Sequence, residues 1–397
     1  MKPYLRACLF TLAALILLPS TAHAKKDEVS LQSGDELREL RFSVRMGPRF
    51  SLVIHGPGDV APSFDMRFAR VGFRGYAFTK ALRYRVVIDV ARAAEQVLEA
   101  LDVDGVDTND DGEINAITTD EDLVEVSSSF VKQAYLEWRP LKAFGVRVGN
   151  FKVWDSLQRQ ASISQLMFPE RALSTSRFDH GFDLGLALGG DVGKYLSYQA
   201  SVTNGSGRLL TNDDNGLLYG LGVAVHPGGR ASEVEGAPER RIEPQASIAA
   251  GMRFENKRPM DKDRRPEPGR DELGVSVGTR VALRGWSLAA EGFLDMSWDR
   301  NVVGTVIEEN IDVGGFLQTG YTLPFGLEFG VRAGLWTESK PFAPEWEFTG
   351  GLSYYPLRPD GVGRMRDHSW SLKLAWTTRL ADSEALHTMV LQQQLRF

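Results

Sequence analysis

From Leu40 onward the chain is a succession of segments in which apolar residues alternate with polar or small ones. The clearest sets Leu82, Tyr84, Val86, Ile88 and Val90 against Arg83, Arg85 and Asp89. Period two places successive side chains on opposite faces of a strand. Similar rows run over Leu40–His55, Phe64–Phe78, Phe130–Arg139, Phe144–Lys152, Phe182–Leu188, Leu196–Asn204, Leu217–Val225 and Ile242–Phe254. They continue over Leu273–Leu283, Trp286–Trp298, Ile311–Tyr321, Leu327–Leu335, Trp346–Tyr354, Trp370–Trp376 and Leu386–Phe397. With the first example these make sixteen strands; Pro48 interrupts the first and leaves fourteen and eighteen open. One face of these rows is apolar. The other holds charges of both signs among Gly, Ala, Ser and Thr, which suits a wet lumen and not the dry interior of a soluble β-sandwich. The pattern predicts an all-β chain: a transmembrane antiparallel β-barrel of about sixteen strands.

Taken alternately, the connections sort into two kinds. Thr79–Ala81, Pro140–Lys142, Gly189–Gly193, Arg284-Gly285 and Thr322–Gly326 are short, whereas Gln96–Val126, Asp155–His180, Gly205–Asn215, Asn256–Arg270 and Asp299–Glu308 are long. Short periplasmic turns and long external loops are the asymmetry of such barrels. Gly228–Arg241 breaks it as a long periplasmic turn and Ala381–Glu384 as a short external loop. The third external loop gathers Arg159, Glu170, Arg171, Arg177, Asp179 and His180 around Ile163, Leu166, Met167 and Phe168. A loop with its own small core between two membrane strands is expected to fold inward as a plug or constriction.

The N-terminus sets the compartment. Lys2 and Arg6 precede an apolar run from Leu9 to Leu18, then Pro19 and Ala22-His23-Ala24, so residues 1–24 read as a secretory signal peptide. Residues 25–39 read as a polar periplasmic tail and residues 40–397 as the barrel. The only cysteine, Cys8, lies in the leader, and disulfides are not expected in the exported chain. Formal net charge is −6, and more negative once Lys2 and Arg6 leave, which disfavours nucleic acid as a partner. Met389, Leu391, Gln393, Leu395 and Phe397 form one terminal row, and that ending resembles the sorting signal read by the barrel assembly machinery of the Gram-negative outer membrane. Membrane lipid and lipopolysaccharide are then the surroundings.

Several stretches carry a family resemblance. Arg67–Gly75, Ala134–Trp138, Arg147–Lys152, Phe168–Arg171, Phe182–Leu186 and Ser201–Gly205 resemble, in order and spacing, the phosphate-selective porin O and P family. The resemblance implies a homotrimer of sixteen-stranded barrels, an inward third loop, and passage of phosphate-like anions past basic residues. After Lys152 the chain departs from the family's Pro-Phe-Ser and reads Val153-Trp154-Asp155-Ser156.

Candidate chemistry is confined to three places. Arg147, Arg159, Arg171 and Arg177 could line a narrow point, where guanidinium groups offer planar donors to an anion losing its water; alternatively Arg171 pairs with Glu170 or a wall carboxylate and anchors the loop. Asp107, Asn109, Asp111, Glu113 and Asn115 belong to a stretch that opens like a calcium loop, but Thr118 stands where a bidentate Glu belongs. A calcium site and an acidic, solvated external loop both remain open. Gly274–Gly278 matches the nucleophile-elbow spacing, yet Ser276 sits inside an alternating strand, where the required strand-to-helix turn is absent. No nucleophile, base and orienting group assemble from the strands, so no enzymatic activity is expected. The sequence reads as a channel for passive diffusion of small hydrophilic solutes with modest anion preference. The second reading is a non-conducting structural or adhesive barrel with acidic external loops.

Overall fold

The structure, a computed structural model, describes residues 29–32, 39–56, 59–91, 130–178, 180–207, 215–229, 232–258, 267–339, 344–356, 370–381 and 384–396. The strands are β1 (Val29–Gln32), β2 (Glu39–Gly56), β3 (Asp59–Ala77), β4 (Thr79–Asp89), β5 (Val131–Leu141), β6 (Phe144–Lys152), β7 (Phe182–Val192), β8 (Leu196–Thr203) and β9 (Leu217–Val225). They continue with β10 (Gln245–Lys257), β11 (Gly269–Leu283), β12 (Trp286–Arg300), β13 (Val306–Thr322), β14 (Leu327–Thr337), β15 (Glu345–Tyr354), β16 (Trp370–Ala381) and β17 (Glu384–Arg396). Each strand from β2 to β17 pairs antiparallel with its sequence neighbours, and β17 returns to β2 with Thr388 opposite Val53 and Leu391 opposite Phe50. The result is a closed barrel of sixteen strands. The short β1 adds to the end of β2, Val29 opposite Phe42.

Pro48 does not break β2. The register against β3 slips between Gly47 and Pro48, so the residue lacking an N–H sits at a bulge and removes no ladder hydrogen bond that the barrel needs. Elsewhere the alternation holds with the polarity of a membrane barrel. On β14, Phe329 is 45 % and Val331 58 % exposed, while Glu328 and Arg332 on either side of them are 1 % and 3 %. Lipid covers such an outer row in place of a protein core. Aromatic rings pair at strand ends, Trp286 with Tyr321 at 4.7 Å and Trp138 with Phe144 at 6.3 Å, as flat amphipathic side chains do at headgroup level.

The connection from β6 to β7 holds the main apolar packing off the wall. It contains helix α1 (Leu157–Gln160), a 3-10 turn at Ile163–Gln165 and helix α2 (Leu173–Phe178). Ala172, Leu173 and Phe178 pack with Ala289, Phe293, Phe316 and Trp336 of β12, β13 and β14; Met167 and Phe168 pack with Ala375 of β16. Glycines on the wall make room. A Cβ on Gly330 would lie 2.5 Å from Met167 Sδ and one on Gly320 2.6 Å from Met167 Cε, and Trp154 covers Gly222 so closely that a side chain there would overlap its ring.

The connection from β9 to β10, read as a long periplasmic turn, is buried in part. Glu235 and Ala237 in it are buried, the Glu235 amide donates to Gln165 O at 2.8 Å, and the Ala237 amide donates to Glu328 on β14 at 3.2 Å. It therefore rises from the periplasmic rim to meet the third loop.

Candidate functional site: a divided lumen

Several inward charges of the wall strands β10 to β16 meet the backbone of the third loop. Glu291 on β12 accepts from the amides of Leu157 at 2.5 Å and Gln158 at 3.0 Å and from Ser156 Oγ at 3.2 Å. These are the orphan donors at the start of α1, where a carboxylate satisfies both hydrogen bonding and the helix dipole. Glu347 on β15 does the same for α2, accepting from the Leu173 amide at 3.1 Å while holding Arg332 at 2.6 Å. Cations take the loop's carbonyls. Arg332 donates to Glu170 O and Arg171 O, each at 3.1 Å, Lys373 Nζ donates to Leu166 O, and Arg253 donates to Phe178 O while lying 4.3 Å from the Phe178 ring centroid. A carbonyl or amide buried here without such a partner would cost about 1–3 kcal/mol. The wall's matched charges thus fasten a segment that carries its own unsatisfied ends.

On the other side of the loop lies a cavity of about 900 Å³. Its wall comes from β2 to β8, the end of β17, Glu233 of the β9–β10 connection and the facing side of the third loop. Twelve basic residues line it: Arg45, Arg67, Arg70, Arg74, Arg85, Lys132, Arg139, Arg147, Lys152, Arg159, Arg171 and Arg396. Four acids do: Asp89, Glu137, Asp191 and Glu233. The strand register sets cations beside cations, with Arg45 opposite Arg70 and Arg396, and Arg74 opposite Arg41 and Arg85. Like charges directly opposite destabilise a sheet. Carboxylates stand among these cations, as in Arg70–Asp89 at 2.7 Å, Arg139–Asp191 at 2.7 Å and Arg147–Glu137 at 2.9 Å. Such a surface is costly to fold and is suited to drawing anions out of water.

Of the four arginines singled out in the sequence, three meet here. Arg147, on β6, lies 4.5 Å from the Tyr135 ring centroid. Arg159, on α1, lies 5.8 Å from the Phe182 ring centroid, and its carbonyl accepts from Lys152 Nζ at 2.8 Å. Arg171 donates to Ala161 O at 2.8 Å. Glu170 binds Arg67 at 2.7 Å and Arg49. Arg177 lies apart: it is half exposed, pairs with Glu345 at 2.9 Å and is not among the cavity's lining residues. Its place at the end of α2 turns it away from the other three. The candidate calcium ligands Asp107, Asn109, Asp111, Glu113 and Asn115 lie outside the described residues.

Sequence reading missed Arg45, Arg70, Arg74 and Lys152. The signal was present as i, i+4 spacing of Arg41 and Arg45 on one strand and of Arg70 and Arg74 on the next, which period two places on one face.

The closed barrel and its charged interior passage define an outer-membrane channel. Residues 59–252 match the family model described as phosphate-selective porin O and P, and the match supports that family for the chain. No curated protein matches the chain. Among solved structures it is similar to the outer membrane channel DcaP of Acinetobacter baumannii, at 11% identity and TM-score 0.56, covering 93% of this chain and 100% of that one. OmpT of Vibrio cholerae gives 7% identity and TM-score 0.57 over 93% and 100% of the two chains. An anion-selective porin from Comamonas acidovorans gives 10% identity and TM-score 0.52 over 91% and 100%. At these identities the likeness is one of fold. The protein is a porin of the Gram-negative outer membrane.

Proposed function

We propose that the protein passes small hydrophilic solutes by diffusion through the cavity beside the third loop, with a preference for anions, phosphate-like oxyanions included. One observation carries this reading: cations outnumber acids twelve to four along that cavity. The acids that balance the wall elsewhere are occupied beneath the loop. In a narrow section bounded by low-dielectric walls, fixed charges a few ångströms from the solute outweigh the net charge of the distant chain. The third loop acts as the constriction, contributing Arg159 and Arg171 from one side while Arg147 and the β2–β4 arginines stand on the other. Passage needs no covalent chemistry. A homotrimeric assembly fits this reading, because an OmpT structure from Vibrio cholerae is described as a trimer form and the barrels share a fold.

Reversal potentials across a potassium chloride gradient in planar bilayers test the proposal. The parent should be anion-selective, Arg147→Ala and Arg159→Ala should move the potential toward the cation side, and Arg177→Ala should leave it in place. A cation-selective parent would overturn the anion preference, and insertion without conductance steps would instead favour the non-conducting barrel.

A further inference from the structure

The connection from β9 to β10 enters the lumen from the side opposite the third loop, and the two meet at one carboxylate. Glu235 is 1 % exposed. Its Oε1 accepts from Gln158 of α1 at 2.9 Å, and its Oε2 accepts from the Met167 amide at 3.1 Å and from Gln318 of β13 at 3.1 Å. Its own amide donates to Gln165 O at 2.8 Å. Three separate points of the third loop therefore converge on a residue that the loop does not contain. Arg280 of β11 secures the same segment, lying 3.8 Å from the Glu235 carboxylate and donating to Glu233 O at 3.1 Å and Ser232 O at 3.3 Å. Gly236 follows with φ +81 and lies against Glu328, where a Cβ would overlap the carboxylate, so the chain turns back at once.

We infer that Glu235 is a positioning residue for permeation: the periplasmic segment is a latch that holds the third loop against the β10–β16 wall and so sets the width of the basic passage. The latch rests on the reading of that cavity as the conduit, but its mechanical part does not. This fastening is carried by a connection from the periplasmic rim, whereas those of Glu291, Glu347, Arg332 and Lys373 come from the rigid sheet. A periplasmic contact that shifted residues 232–237 would loosen the constriction without touching a strand.

The test uses the full mature protein and two readouts. Hydrogen exchange at the Met167 amide and its neighbours should accelerate at least about tenfold in Glu235→Ala, since local opening governs exchange, and by less in Glu235→Gln, which keeps one acceptor oxygen. Single-channel conductance should rise and fluctuate more in Glu235→Ala. Glu239→Ala, at the base of the same segment where its carboxylate meets Arg241, should change neither. Heat-modifiable migration on gels identifies folded barrels before either measurement, and Glu235→Gln serves if Glu235→Ala does not fold. Unchanged exchange in the Glu235 variant that folds overturns the latch. Faster exchange with unchanged conductance overturns its control of passage, and a parent that conducts nothing overturns the channel reading while exchange still decides the latch.

Discussion

At the residue scale the lumen is organised by what a wall side chain faces. Glu291 and Arg85 are both charged, inward residues on membrane strands, and nothing in their local sequence separates them. Glu291 covers the first amides of a helix, whereas Arg85 lines open space opposite Arg74. Glycine makes the same distinction sterically. Valine would ordinarily suit β14 better than Gly330, because a β-branched side chain packs well on a pleated surface. Here the new methyl groups would meet Met167 Sδ, 2.5 Å from the Cβ position. The sheet behind yields little, so the added side chain presses Met167 and the loop that carries it toward the basic cavity. Gly330→Val is therefore expected to lower single-channel conductance while leaving folding and heat modifiability intact. That sign is opposite to the rise expected of Glu235→Ala, and an unchanged conductance would show that Met167 can turn aside without moving the loop.

At the element scale the third loop is fastened at several points, and two outside the strands respond to pH. Burial opposes charge on Glu235, but Arg280 and hydrogen bonds from Gln318, the Met167 amide and Gln158 outweigh it and hold the carboxyl below its ordinary 4.5. A lowered folded value means this stabilisation is complete above 4.5 and is lost as pH falls through that folded value. His180, at the loop's end, behaves oppositely: burial works against its charge, yet the hydrogen bond to Asp183 and the nearby Glu255 raise it above 6.5. Its contribution is complete below 6.5 and is lost as pH rises through the raised value. Both fastenings are thus complete between 4.5 and 6.5. Open-channel current noise should be lowest in that window, with Glu235→Gln altering only the acid limb and His180→Gln only the alkaline one; flat noise from acid to alkaline pH would remove the idea. The strands were legible in the sequence because period two survives any change of partner, and even Pro48 was absorbed by a slip of register. The latch was not. Glu233-Val234-Glu235-Gly236 has the polarity of a solvated turn, and only the positions of Gln158, Met167 and Gln318 around it reveal a buried junction. The division of the wall was hidden for the same reason: counted along the strands, the charges of β10–β16 and β2–β8 form one balanced list.

At the scale of the whole molecule the conflict is between a chain of formal net charge −6 and a passage with twelve cations to four acids. The two make different demands on salt. A selectivity set by total charge would have to act over distances longer than the Debye length, where mobile ions screen it. A selectivity set by arginines within a few ångströms of the solute acts inside the Debye length, which is about 10 Å at 0.1 M salt and about 3 Å at 1 M. The passage should therefore remain anion-selective as potassium chloride is raised from about 0.1 M to about 1 M at a fixed gradient ratio, with the permeability ratio falling toward unity but not crossing it. Arg45→Ala and Arg74→Ala should bring that fall to lower salt, because each removes one member of a cross-strand row in which no cation stands alone. Reversal potentials across the salt series measure this directly. A ratio indifferent to salt would mean that solute size and dehydration at the loop sort the ions. A ratio that inverts at low salt would mean that the acidic exterior prevails over the basic passage.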